Sequence, residues 1–204
     1  MMLWSWAAFW LTHLIFGMLF YSDDHVDFLP NHHVTTKQLL NTVGLNALLT
    51  FLFIPIANII PTLIMVNDTF IGYISRILMA LLIGDLIFYW THRLFHHPFF
   101  YQIHKKHHHF VSPTVLAGLY CHPLEMLLSN HLAMVIPLKL IQSHSPYMLM
   151  FESSVVSLNI LKSHSSNKNF LTGSPHHNVH HEKMSKNFGF SYITDILFGT
   201  YVRT

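Results

Sequence analysis

Cysteine is almost missing from this sequence. Cys121 stands alone among 204 residues, which excludes an intrachain disulfide and a thiolate-rich zinc site. Charge is scarce as well: Asp, Glu, Lys and Arg supply 10% of the residues, against about 25% in an average soluble domain. The formal net charge is +2 and no long basic run occurs, so nucleic acid is not an expected partner. No internal repeat and no low-complexity linker divides the chain, and its length predicts one domain over residues 1–204.

What is present is apolar. Hydrophobic residues make up 51% of the chain, more than a small soluble core of this length buries. The expected class is all-α, a polytopic membrane bundle of about four to five membrane helices or hairpins with a histidine-rich helical cap on the cytoplasmic side. Residues 2–20 (MLWSWAAFWLTHLIFGMLF) are long enough to span a bilayer. They have no basic start and no small-residue cleavage site, so they read as a retained anchor. Residues 21–38, with Asp23, Asp24 and Asp27, read as a loop. A second apolar stretch, Leu39 to Val66, is broken by Pro55 and Pro61 and either spans with a kink or dips in and turns back. The third, Ile74 to Trp90, runs on through Phe95 until His97-Pro98 ends it, because proline disfavours helix in the residue before it.

Met126 to Ile141 and Tyr147 to Leu161 are each short for a span. Ser143-His144-Ser145-Pro146 joins them in a turn, giving a membrane hairpin or two partly inserted helices. The chain then divides into membrane helices (1–90), a first histidine-rich segment (91–123), the hairpin (124–161), and a second histidine-rich segment with a C-terminal tail (162–204). Trp4, Trp6, Trp10 and Tyr21 read as interface anchors. Arg93, Lys105 and Lys106 accompany the first histidine-rich segment, and Lys162, Lys168, Lys183 and Lys186 the second. The excess of basic residues puts both on the cytoplasmic face. A hairpin between them returns the chain to the side it left, so the two segments can meet.

Nineteen histidines are the second anomaly, seven of them between His92 and His109 and five between His164 and His181. Neutral imidazole is the commonest protein metal ligand. His92-Arg-Leu-Phe-His96 has a spacing of four, which puts both rings on one helical face a turn apart. His104-Lys-Lys-His107-His108 and His177-Asn-Val-His180-His181 repeat one pattern, with three rings on one face if each is helical. Adjacent histidines point about 100° apart around a helix, so a doublet can serve two different metals. Any one of these histidines alone is a solvated or capping residue; all three groups together point to a two-metal centre.

The run WTHRLFHHPFFYQIHKKHHHF, followed by LYCHPLE, SPHHNVHH and DILFGTY, resembles the fatty acid hydroxylase and sterol desaturase superfamily, and most closely its methylsterol oxidase branch. The matching motifs cover about residues 85–201. The resemblance implies a helical membrane enzyme with two iron ions, zinc being a possible occupant in a purified sample, and O2 as co-substrate. It also implies a sterol or fatty acyl substrate that is hydroxylated or desaturated. Electrons would come from separate proteins such as cytochrome b5 and an NAD(P)H-dependent reductase, in the endoplasmic reticulum of a eukaryote or the inner membrane of a bacterium. It adds a ninth ligand, His164, at the end of the last membrane helix. It leaves His109 and His176 outside the ligand set, and it puts Asn178 where the family often has aspartate.

Carboxylates are expected to orient the imidazoles through their other ring nitrogen. Asp85 lies seven residues before His92 on the same helical face, within an apolar run where a carboxylate is costly. Asp195 matches the family's C-terminal acidic position, and Glu125 is a third candidate. His122 of the HPLE segment, with Glu152 and Asn159 seven residues apart on one face, are candidates for lining the site. His13 and His131 read as interhelical packing. Two other functions stay open on the residues alone: a histidine-lined membrane metal transporter, and an inactive relative with a closed structural zinc site. A transporter places ligands near mid-membrane, whereas these clusters lie at helix exits and in polar segments.

Overall fold

The computed structural model describes residues 2–20, 27–28, 33–67, 69–112, 116–142, 145–164 and 175–203. Over these residues the chain is mostly helical. Five longer helical runs form the body: α1 (Met2–Phe20), α2 (Thr36–Leu52), α4 (Phe70–Phe95), the run 123–140, and α8 (Pro146–Ser163). The run 123–140 consists of α6 (Pro123–Glu125), a π-helical stretch (Met126–His131) and α7 (Leu132–Leu140). Short helices α3 (Ile54–Ala57), α5 (Tyr101–His104), α9 (Pro175–Lys183) and α10 (Tyr192–Leu197) fill the ends. Two-residue strand pairings clip the bundle at its two ends: β1 (Asp27–Phe28) antiparallel to β3 (Phe110–Ser112), and β2 (Ile64–Met65) parallel to β4 (Ile141–Gln142).

The helix ends follow local chemistry. Thr35 and Gln38 form a reciprocal capping box that starts α2, so the stretch expected as a loop to residue 38 ends at residue 35; residues 21–26 and 29–32 of it lie outside the described residues, as does Tyr21. Residues 39–66 do not continue as one helix. α2 stops at Leu52, Pro55 opens α3 at its first turn, and the chain is extended by β2. α4 follows Thr69, whose hydroxyl accepts from the Gly72 amide, and ends at Phe95 with His96 as its C-cap, shortly before Pro98.

Packing fixes the directions. Ser5 bonds Ser153, and Ser157 Oγ donates to Phe9 O at 3.0 Å, so α1 and α8 run parallel. His13 lies in this seam against Ser157, and His131 packs edge-on to Phe53 at 5.7 Å. Trp6 and Trp10 depart from the expected interface role, because both indoles donate to Thr50 of α2 at 3.1 Å inside the bundle. Trp4 is exposed. Asn46 of α2 donates to the carbonyls of Leu119 and Cys121 at 3.0 and 3.2 Å. A side chain on Gly84 would meet Ala133 O at 2.9 Å, so glycine lets α4 and α7 touch. The core gathers Met2, Phe9, Leu119, Cys121, Met126, Met134, Val135 and Leu149.

All the histidine motifs collect at the end where α4 and α8 finish and the 123–140 run begins, and β2 and β4 close the other end. Among the described residues one helix, α4, is long and apolar enough to cross a membrane, and α1 contributes a shorter apolar segment, Met2–Gly17. Outward on α4, Leu78, Leu82, Leu86, Trp90 and Leu94 form an exposed stripe at four-residue spacing.

Candidate metal centre

Nine histidines converge as two adjoining groups: His92, His96, His104, His108 and His180, and His107, His164, His177 and His181. Within each group the ligand nitrogens all lie within 4.8 Å of one another. The chain order shows how the motifs divide. His92 and His96 project together from the last turn of α4 into the first group. In each HxxHH unit the outer pair, four residues apart, goes to one group and the inner histidine to the other. His104 and His108 join the first group while His107 joins the second; His177 and His181 join the second while His180 joins the first.

The first of these units is not one α-helix, contrary to its spacing. α5 stops at His104, Lys105 and Lys106 form a turn, and His107–His109 tighten into a 3-10 turn. The change of winding steers His107 toward His164, 3.3 Å away between Nε2 atoms, while His108 Nε2 stays 2.8 Å from His104 Nε2. Gly118 makes room for His164, because a Cβ there would lie 2.6 Å from its Nδ1.

The outward nitrogens decide what the inward ones can do. His92 Nδ1 donates to Phe188 O at 2.6 Å, His180 Nδ1 to Lys186 O at 2.7 Å, His181 Nδ1 to Phe110 O at 2.9 Å and His164 Nδ1 to Ile160 O at 2.9 Å. A carbonyl only accepts, so each of these rings carries its proton on Nδ1 and presents a bare lone pair at Nε2. These lone pairs point at other Nε2 atoms: His96 to His180 at 3.0 Å, His92 to His104 at 3.1 Å, His181 to His177 at 3.2 Å. Each contact joins a ring fixed as an Nε2 acceptor to one whose tautomer no carbonyl among the described residues fixes. Neutral imidazole nitrogens converging in two groups are a donor set that fits two metal ions.

A second, charging proton on these rings is disfavoured. Burial pushes the imidazoles of His104, His107, His108, His177, His180 and His181 well below their ordinary value, reinforced by the neighbouring rings. Burial brings His96 down to about 3 and His164 to about 4. Neutral imidazole is the ligating form.

A cavity opens directly from the centre. His92, His107, His164 and His177 form its polar end, and Ile77, Leu81, Phe88, Met134, Val155 and Ile160 line the channel between α4, α7 and α8. On the opposite side a shallow surface pocket, lined by Arg93, His96, Tyr101, Met184 and Phe188, reaches the first group.

A family model described as fatty acid hydroxylase matches residues 77–200. This chain belongs to the fatty acid hydroxylase family. The matched span contains all nine histidines and leaves α1 and α2 outside. Fatty acid hydroxylase domain-containing protein 2 of Homo sapiens is 33% identical over 133 residues, covering 65% of this chain and 40% of that protein. The C-4 methylsterol oxidase erg25 of Schizosaccharomyces pombe is 29% identical, over 58% of this chain and 44% of its own length. Very-long-chain aldehyde decarbonylase GL1-11 of Oryza sativa subsp. indica is 32% identical, over 62% and 52% respectively. The chain thus spans 40% to 52% of the length of these relatives. No solved structure matches.

In this family member the carboxylates do less than expected at the rings. Only Glu125 faces one of the nine: its Oε1 lies 2.9 Å from His104 Nδ1, close although not aligned as a hydrogen bond. Asp85 does not orient an imidazole. It accepts from the Ser191 amide at 2.9 Å, the Ser191 hydroxyl at 2.6 Å and Thr194, so it anchors the start of α10. Asp195 meets His176 at 3.1 Å, a histidine outside the nine, and accepts from the Phe188 and Gly189 amides at 2.8 Å. It thereby also holds the loop whose Phe188 carbonyl takes the His92 Nδ1 proton. Asn187, in the left-handed region at φ 56, ties the same loop to His176 O and Val202. His122 does not line the cavity; it caps α6, accepting from the Leu124 amide at 3.1 Å. Glu152 and Asn159 do line it.

Sequence reasoning missed Arg76 and His176. Arg76 had a readable signal, a lone cation inside an apolar helix. His176 is correctly left outside the ligand set, but nothing in the sequence points to its contact with Asp195.

Proposed function

We propose that this chain is a membrane-embedded di-iron oxygenase that uses O2 and two electrons to hydroxylate or desaturate a lipid of sterol or fatty acyl type. One observation carries the reading: two groups of imidazoles with inward lone pairs stand at the mouth of a long apolar cavity. His92, His96, His104, His108 and His180 would hold one ion, and His107, His164, His177 and His181 the other. An all-imidazole donor set accepts iron among several metals, and an iron pair supplies the oxidising power that an unactivated C–H bond needs.

The chain's own residues do the rest. Backbone carbonyls of residues 110, 160, 186 and 188 fix ring orientation and tautomer. Phe88, Met134 and Ile160 exclude water from the cavity and hold a hydrocarbon against the second group. The oxidase and decarbonylase names of the relatives concern lipids, which supports a lipid substrate here.

The exposed apolar stripe of α4 and the exposed apolar residues of α1, α2 and α8 suit a bundle set in a bilayer. Basic residues at the histidine end favour the cytoplasmic side, of the endoplasmic reticulum in a eukaryote or the inner membrane in a bacterium. Electrons would arrive from a separate donor such as cytochrome b5 with its NAD(P)H-dependent reductase, and the surface pocket at His96 is the approach to the first group. The histidines sit at helix ends and open on a cavity, which disfavours both a mid-membrane transport path and a closed zinc site.

Lipid profiling of cells expressing the intact chain against a His107→Ala variant tests the reading. A new hydroxylated or desaturated lipid is expected with the intact chain only. Identical profiles, with iron bound in the intact protein, would contradict it.

A further inference from the structure

The cavity does not stay apolar to its far end. Its α8 wall runs from His164 back to Glu152, about 18 Å of helix at 1.5 Å per residue. Glu152 is buried and held by Arg76 of α4, with Nε at 2.6 Å from one carboxylate oxygen and Nη2 at 2.9 Å from the other. Folding alone does not call for this pair, since apolar residues of similar volume often replace a buried ion pair without loss. An ionisable pair within apolar helices is costly and marks a site. Each carboxylate oxygen keeps acceptor capacity after one bond, and Arg76 Nη1 is buried with no hydrogen-bond partner. The far end thus presents an acceptor to the cavity with an unmet donor behind it, at zero net charge.

We propose that Glu152, held in place by Arg76, recognises the hydroxyl group of an uncharged lipid alcohol whose hydrocarbon extends down the cavity toward the histidines. A hydroxyl donates to Glu152, whose oxygens keep lone pairs beyond the two bonds from Arg76. A carboxylate cannot donate and meets the charge of Glu152. A methyl end leaves the acceptor that Glu152 turns to the cavity unused. That the other end of the lipid is oxidised rests on the oxygenase reading above; on that reading the oxidised carbon is remote from the hydroxyl, because the two ends of the cavity are about 18 Å apart along α8. The binding preference itself needs neither metal nor turnover.

The test is displacement of a fluorescent lipid analogue from the full chain in nanodiscs by cetyl alcohol, palmitate or hexadecane. Cetyl alcohol should bind about tenfold more tightly than either of the others, the scale of one hydrogen bond to a charged group. A double variant, Arg76→Met with Glu152→Leu, leaves no lone buried charge and is the fair comparison. It should bind hexadecane as the intact chain does and lose the preference for the alcohol. The proposal is overturned if the intact chain binds none of the three, if it prefers palmitate or treats alcohol and alkane alike, or if the double variant keeps the preference. Iron content and O2 uptake on the same samples test the oxygenase reading separately: alcohol preference without either would keep this site and remove that function.

Discussion

The two histidine groups share a residue type and a spacing, yet they face different worlds. In the second group all four rings are buried, and His107, His164 and His177 line the apolar cavity. The first group has five rings but gives only His92 to that cavity, and its half-buried His96 reaches the surface pocket beside Arg93. Under the proposed function this asymmetry is a division of labour. On that reading, the second group would stand where a hydrocarbon lies, and the first where water and a redox partner approach.

Removing rings from each side breaks or sharpens that division. His177→Ala leaves three rings in the second group, and product formation should fall by more than about a hundredfold, beyond the 10–100-fold typical of partners one step from a metal. Elemental analysis should show the loss of one ion while the other remains. Glu125→Ala frees the His104 ring on the first side, so metal affinity there should drop by about 10–100-fold with the fold intact, measured by competition with a chelator. His96→Ala leaves four rings in the first group and should cost at most about tenfold in affinity, with a larger effect on the rate of reduction by an external donor than on lipid binding.

The smallest effect is of pH. Burial lowers the folded-state value of His164 from 6.5 to about 4. Its contribution to the stability of the metal-free protein is fully present above 6.5, where both states are neutral. Below that the unfolded chain takes up a proton that the folded one refuses. Stability therefore falls as pH drops from 6.5 toward 4, and it should be lower at pH 6 than at pH 7. Denaturant midpoints of metal-free protein at the two pH values check the sign; higher stability at pH 6 would contradict it.

Much of the centre was legible because the ligand motifs carry their own spacing. The nine histidines singled out along the chain are the nine that meet, His164 included. What holds them was not legible. The Nδ1 partners of His92 and His180 are carbonyls of Phe188 and Lys186, and every residue has a carbonyl. The conspicuous carboxylates Asp85 and Asp195 hold that 186–194 segment rather than the rings. The helix at His104–His108 was misread because a spacing of three and four is equally served by a turn that changes winding. In the body, Trp6 and Trp10 looked like interface anchors, since nothing in the sequence shows that Thr50 of another helix lies opposite both.

The central claim is that two ions lie in two unequal imidazole groups. Mössbauer spectroscopy with elemental analysis, on protein purified from isotope-enriched iron, tests it most directly. Two coupled irons per chain are expected in the intact protein, and a single uncoupled iron in His177→Ala. A fully loaded protein with one iron per chain, or two that show no coupling, would contradict it.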